Sequence, residues 1–298
     1  MEIYSSGKVL LTGEYVILDG ALSLASPTKF GQHLKFEENQ SNLINWKSIN
    51  FDGKIWFECT IKNENLEIKS TSSKKVSETL IRIVNLIREY NPSFMKNSGS
   101  DISTNLTFDK NWGLGSSSTL ISNLAKLSGV DPYILNNKIF KGSGYDIACA
   151  DSDCPITYNI NKNQREINEV HFKPSFQSNI CFVYLNRKKK TVDEIKRFEK
   201  IKKSYSAVNE ISEITLRLLK CSEQAEFDFL IENHEKIISN LISVKTIKEE
   251  LFNDFRGSIK SLGAWGGDFI MVSYDIDPSD YFVNKGYKTI IKFKDIII

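Results

Sequence analysis

The stretch Asp101-Ile102-Ser103-Thr104-Asn105-Leu106-Thr107-Phe108, then Asn111-Trp112-Gly113-Leu114-Gly115-Ser116-Ser117-Ser118, decides how this sequence folds. Ile102, Thr104, Leu106 and Phe108 alternate on one side, the period of a half-buried strand. Beyond Ser118 a helix-period pattern runs through Leu127. The order strand, glycine-serine loop, helix predicts a backbone that can seat an anion. Glycines at 113 and 115 let main-chain N–H groups approach a ligand without a Cβ in the way. The helix start adds N–H groups with no intrahelical acceptor and a partial positive charge. Serine hydroxyls at 116, 117 and 118 can donate to phosphate oxygens or ligate Mg²⁺, a hard cation. No Gly-Lys-Ser/Thr follows at the spacing of a Walker loop. The same residues also serve as an ordinary N-cap in a tight turn, so this segment alone leaves both functions open.

Around this unit the pattern is mixed. Residues 9–11 and 15–18 are short apolar runs separated by Thr12-Gly13, and residues 33–36 and 54–61 read as strands. Lys74–Tyr90 predicts a helix, with Val76, Leu80, Ile83, Val84 and Ile87 on one face and Pro92 and Gly99 ending it. Past Gly144, residues 145–150 are small and apolar, 155–160 predict a strand, and the polar 161–168 predicts an inter-domain connection. Residues 180–185 read as a buried strand. From 191 to 262 the pattern is almost wholly helical, in three pieces broken near Ser222 and Ser243. A strand at 269–274, a short helix around Tyr281 and a strand at 289–293 complete the chain. The fold class expected is α+β, in two domains, 1–160 and 161–298.

Composition narrows the function. With 298 residues, 41% hydrophobic and 26% charged, the chain is globular and not disordered. Lys and Arg number 39 against 37 Asp and Glu, so a net charge of +2 gives no bulk attraction to nucleic acid or membrane. Five scattered cysteines and three histidines show neither zinc spacing nor a disulfide framework. Glu2, Lys8, Glu14 and Asp19 interrupt the N-terminal apolar residues, so no secretory signal is read there. No apolar run reaches the roughly 18 residues of a membrane span. A soluble, cytoplasmic protein is expected, a monomer or homodimer with no nucleic-acid or membrane partner.

Two further segments carry chemistry. Gly7-Lys8-Val9-Leu10-Leu11-Thr12-Gly13-Glu14-Tyr15 places a compact point charge on an apolar strand and a carboxylate after a glycine. Gly142-Ser143-Gly144-Tyr145-Asp146-Ile147-Ala148 places an aspartate just after a flexible turn. Alone, Lys8 suits a solvated strand end and Asp146 a capping position. With Gly263-Ala264-Trp265-Gly266-Gly267-Asp268, these segments and the 113–118 loop resemble, in order along the chain, the GHMP kinase superfamily of galactokinase, homoserine kinase, mevalonate kinase and phosphomevalonate kinase. GSGYDIA and GAWGGD look like segments of its phosphomevalonate kinase branch, and the Gly7-Lys8 start is shared with mevalonate kinases.

The resemblance implies a two-domain fold with ATP and acceptor meeting in an inter-domain cleft, Mg²⁺ as cofactor, and phosphomevalonate or mevalonate as the small-molecule substrate. It implies that Gly113, Leu114, Gly115, Ser116, Ser117 and Ser118 wrap the ATP phosphates, with Ser117 on the metal. Lys8 and Asp146 match the catalytic pair. Gly144, Tyr145, Thr191, Gly266 and Gly267, together with Lys8, match substrate-side positions, and Glu14 matches a position of structural role. Acceptors of the homoserine or galactose type, or a nucleotide-binding protein without catalysis, are the alternatives. There are departures. Leu135 stands where mevalonate kinase has a metal-binding glutamate, Lys141-Gly142 replaces a histidine-proline, and Trp265 replaces a glycine. The basic run Arg187-Lys188-Lys189-Lys190 fits either a solvated helix entry or an anionic-substrate contact. Trp112 fits either adenine stacking or core. His33, His171 and His234 are given no role.

Overall fold

The computed structural model describes residues 1–162, 164–187, 203–263, 265 and 267–298. It is a mixed α+β protein of two compact units. The first comprises Met1–Gly7, Phe30–Lys110 and Leu114–Asp151, and the second Lys8–Lys29, Asn111–Gly113 and Ser152–Ile298.

In the first unit, strands β1 (Glu2–Leu10), β2 (Ser23–Asn39), β3 (Leu43–Ile49), β4 (Ile55–Lys62), β5 (Ile68–Thr71) and β6 (Gly99–Leu106) build a sheet ordered β5-β4-β3-β6-β2, with β1 also pairing β2. Only β3 and β6 of that path run parallel, in register from Ile44 opposite Ser100. Four helices belong to this unit: α1 (Lys74–Tyr90), α2 (Ser116–Ser128), α3 (Pro132–Ile139) and α4 (Tyr145–Ala150). The expected apolar stripe of α1 is its buried face, and Leu80, Ile83, Val84 and Ile87 pack with Trp46, Phe57 and Ile102 of the strands and Ile121 and Leu124 of α2. Each such side chain contributes about 1.5–3 kcal/mol on leaving water. Asp131 starts α3 by accepting the Tyr133 N–H at 2.7 Å, with Pro132 at the first helical position.

The second unit takes the start of β2, where Ser23 pairs Tyr158 of β7 (Ile156–Asn161). β7 turns back antiparallel on β8 (Gln164–Glu169). Residues 161–168 are therefore largely a hairpin, not a connection between domains. β8 is an edge strand exposed along nearly its whole length, so its sequence carries no apolar alternation to betray it. A second sheet orders β10 (Ser258–Ser261), β11 (Phe269–Ser273), β9 (Ile180–Tyr184) and β12 (Ile290–Lys292), all antiparallel. Helices α5 (Tyr205–Lys220), α6 (Gln224–Ile242), α7 (Ile247–Leu251), α8 (Ser279–Asn284) and α9 (Phe293–Ile296) complete the described elements. The expected breaks near Ser222 and Ser243 are real. A Thr246–Glu249 capping box starts α7. The helical expectation through residue 262 fails at β10, a four-residue strand too short to show a period. The short apolar run at residues 15–18 lies largely in a 3₁₀ turn, Val16–Asp19. No described helix is long and apolar enough to cross a membrane.

Ile83 is wholly buried between α1 and the sheet. Ile83→Ala should lower the unfolding free energy by about 2–5 kcal/mol, through lost transfer energy and the cavity left behind, as read by urea titration of intrinsic fluorescence.

Candidate functional site

The glycine-serine loop has the geometry an anion seat requires. Gly113 (φ 70°) and Gly115 (φ 92°) are both left-handed, and Gly115 is the N-cap of α2. A Cβ on Gly113 would lie 2.3 Å from Oδ2 of Asp268, so a side chain is excluded there. Ser116, Ser117 and Ser118 form the first turn of α2. Ser118 is buried and its hydroxyl donates to the Gly115 carbonyl at 2.8 Å, while Ser117 is exposed. Ser118 thus spends its hydroxyl on the helix start, and Ser117 points its own toward solvent. Leu114 is buried. The loop is tied to the strands through α2: Thr119 Oγ1 donates to Gln32 Oε1 at 3.1 Å, and Asn123 Nδ2 to the Gln32 carbonyl at 2.9 Å.

In the same unit α4 packs against α2. Gly144 (φ 87°) is its N-cap, and Tyr145 and Asp146 are its first residues, both half-buried. The structure thus brings Asp146 and the serine loop onto two helix starts that belong to one packed layer. Leu135 is fully buried in the core of this unit, so that position offers no metal ligand.

The second unit holds Lys8, half-buried near the end of β1, and the turn that follows it. Gly13 (φ 94°) admits no side chain, because a Cβ would lie 1.9 Å from Ser23 Oγ. Its N–H donates to His234 Nε2 at 3.0 Å. Glu14 is buried, and Lys260 Nζ, buried as well, donates to its Oε1 at 2.7 Å and to the Ser261 carbonyl at 3.0 Å. Glu235 lies beside them and accepts the Ser261 hydroxyl at 2.9 Å. Thr12 Oγ1 meets Thr215 Oγ1 of α5 at 2.7 Å. A single turn after Lys8 is therefore bonded to α5, α6 and β10.

Electrostatics follow from burial. Desolvation raises the Glu14 carboxyl above its ordinary range, opposed first by Lys260 and more weakly by Lys8. Burial, then the charge of Lys260, holds His234 well below its usual value. The imidazole is neutral, with its Nε2 lone pair taken by the Gly13 N–H. The 3.3 Å approach of Glu14 Oε2 to Nε2 is therefore not an ion pair. Burial pushes Glu235 up to about 8, against the pull of Lys260 and helped by Glu14.

No protein-family model matches the sequence, and none of the curated proteins compared with it is significantly similar. Solved structures are similar over nearly the whole chain. Mevalonate kinase of Methanococcus jannaschii superposes with a TM-score of 0.68 at 18% identity, covering 96% of this chain and 94% of that one. Streptococcus pneumoniae phosphomevalonate kinase, in complex with phosphomevalonate and AMPPNP, gives 0.67 at 16% identity over 100% and 98%. Lactococcus lactis galactokinase complexed with galactose gives 0.66 at 12% identity over 98% and 93%. All three are GHMP kinases. The chain has the GHMP kinase fold.

On this GHMP fold, Gly267 is described and buried, whereas Thr191, Gly266 and Lys188 to Lys190 lie outside the described residues. Arg187 pairs Glu250 at 3.4 Å, and its carbonyl accepts the Asp268 N–H at 2.7 Å. Trp112 packs edge-on against Phe269, with centroids 5.6 Å apart. Sequence reasoning assigned His234 nothing and passed over Lys260 and Glu235. A signal was there: on α6, Phe227, Leu230, Ile231, Ile238 and Ile242 are buried, and His234 and Glu235 fall on that same stripe. Polar groups on a buried helix face need partners.

Glu235 is protonated more readily in the folded protein than in the unfolded chain, whose carboxyl has the ordinary value of 4.5. Its contribution to stability is complete below about pH 4.5 and falls away as pH rises through about 8. Glu235→Gln keeps an acceptor for Ser261 and removes this proton. Relative to the parent, its unfolding free energy should rise with pH across that window, by up to about 1.4 kcal/mol per pH unit. Urea titrations at pH 6, 7 and 8 measure the trend, and parallel curves for the two proteins would contradict it.

Proposed function

We infer that the chain is an ATP-dependent kinase of GHMP type that transfers the γ-phosphoryl group of ATP to phosphomevalonate or mevalonate. The observation that carries this reading is the loop 113–118, whose two left-handed glycines and serine turn open α2 within a GHMP fold. Loop and helix start offer main-chain N–H groups to the phosphates. Gly144, Tyr145, Gly267, Thr191 and Gly266 are the proposed substrate-side positions.

Phosphoryl transfer asks for positioning and charge neutralisation more than covalent chemistry. The acceptor oxygen forms a bond to the γ-phosphorus as the β–γ bridging bond breaks, and ADP carries away the electron pair. Asp146 takes or orients the acceptor hydroxyl proton. Lys8 brings a positive charge to the migrating group. With a phosphate as acceptor no strong base is needed, and Lys8 becomes the more important of the two.

The donor chemistry on the first unit suits Mg²⁺. The exposed Ser117 hydroxyl and the Asp146 carboxylate are hard oxygens on helices that pack together. A bound Mg²⁺ would neutralise charge on the ATP phosphates. Leu135 is sealed in the core and would offer such an ion no ligand.

Coupled ADP release with mevalonate, phosphomevalonate, homoserine and galactose tests the assignment. Stimulation by one of the first two is expected. Stimulation only by homoserine or galactose would move the acceptor elsewhere in the fold family, and Mg·ATP binding without stimulation by any would indicate a non-catalytic nucleotide-binding protein. Lys8→Ala and Asp146→Asn should each lower kcat by about 10²-fold or more with the urea midpoint unchanged. Parental turnover in both would remove the proposed roles.

A further inference from the structure

Asn111, Trp112 and Gly113 lead into the glycine-serine loop, and residues of β9 and β11 meet each of them within the second unit. Tyr184, the last residue of β9, donates its hydroxyl to the Asn111 carbonyl at 3.1 Å. Phe269 opens β11 opposite Tyr184, with the two ring centroids 5.3 Å apart, and it is Phe269 that packs edge-on against Trp112. Asp268 lies on Gly113. A Cβ on that glycine would meet Oδ2 at 2.3 Å, Cγ at 2.4 Å and Oδ1 at 2.9 Å, so the carboxyl group fills the space that a side chain would need. On that side the bareness of Gly113 serves an internal contact. Asp268 is itself fixed: its N–H donates to the Arg187 carbonyl at 2.7 Å, and its carbonyl accepts the Leu185 N–H at 2.8 Å. These bonds hold it at a φ of 51°, a left-handed conformation that few residues other than glycine adopt. Three consecutive loop residues are thus met by a hydroxyl, a ring and a carboxyl group, all carried by one strand pair.

We propose that Asp268 is a positioning residue: with Tyr184 and Phe269 it grips Asn111–Gly113 and holds the loop entry in the form that seats the ATP phosphates. The use made of the loop rests on the kinase reading, while the grip belongs to the fold of the second unit. It acts by packing and main-chain anchoring, so the shape of the side chain at 268 matters and its charge does not. A loop entry without this support must be ordered at each binding event, and that cost appears as weaker nucleotide binding.

The test measures Mg·AMPPNP binding by calorimetry and, in the ligand-free protein, hydrogen exchange of peptides spanning the loop entry by mass spectrometry. Asp268→Gly removes the side chain and accepts the left-handed backbone, Asp268→Asn keeps the shape without the charge, and Tyr184→Phe removes only the hydroxyl. Asp268→Gly should weaken Mg·AMPPNP binding about tenfold or more and speed loop-entry exchange about fivefold. The KM for the acceptor should stay within about threefold. Asp268→Asn should bind within about threefold of the parent. Gly113→Ala is strained by its backbone in either background, but only beside Asp268 does its methyl group also clash. Its cost in Mg·AMPPNP affinity should therefore be about tenfold greater in the parent than in Asp268→Gly, a coupling that two independent structural residues would not show. Parental binding and exchange in Asp268→Gly, equal losses in Asp268→Gly and Asp268→Asn, or an equal cost of Gly113→Ala in both backgrounds overturns the proposal. Should Asp268→Gly fail to fold, Tyr184→Phe decides: faster loop-entry exchange supports the grip and parental exchange overturns it. A parent that binds no Mg·AMPPNP overturns the nucleotide reading instead, and the exchange still decides whether the grip exists.

Discussion

A fully buried ion pair between Glu14 and Lys260 organises the second unit. The two residues lie 246 positions apart in sequence, yet neither charge is tolerable in the interior without the other. Such a pair is a modest source of net stability, because desolvation consumes much of the Coulomb attraction, but breaking it by removing one partner costs about 3–5 kcal/mol. It acts as a constraint. The turn after β1 must meet β10, α6 must present His234 to the Gly13 N–H, and α5 must present Thr215 to Thr12. A glycine that cannot carry a side chain makes the same turn sterically intolerant.

The proposed anion seat at residues 113–118 is built on a different principle. Its charge is carried by the backbone, through left-handed glycines and the first turn of α2, and it is positioned by α2 packing on the sheet and on α4. This is why a chain with a net charge of +2 can be read as a phosphate-handling protein. In the proposed reading the positive charge comes from oriented N–H groups and a few lysines, and bulk charge does not register it.

Much of the fold was legible because local physics enforces it. The α1 stripe, the alternation of 101–108 and the breaks near Ser222 and Ser243 are patterns that burial and chain breaking impose on neighbours in sequence. Elements whose residues answer to distant partners were not legible. β8 is exposed and polar, β10 is four residues long, and the 3₁₀ turn at Val16–Asp19 looks apolar because Val16 and Ile17 are buried. The site divides the same way. Gly113, Gly115, Lys8 and Asp146 stand in recognisable segments. His234, Glu235 and Lys260 have ordinary neighbours, and their importance comes from one another.

The sequence by itself determined the α+β class, the glycine-serine loop opening α2, the segments bearing Lys8 and Asp146, and the likeness to GHMP kinases. These follow from short-range spacing, where one residue's conformation restricts the next. The tertiary structure alone decided that Glu14 is neutralised by Lys260, that His234 is a neutral acceptor and that Leu135 is core. Each of these depends on which groups share a space closed to water. In that space desolvation sets which charges must meet, and sequence separation has no bearing on it.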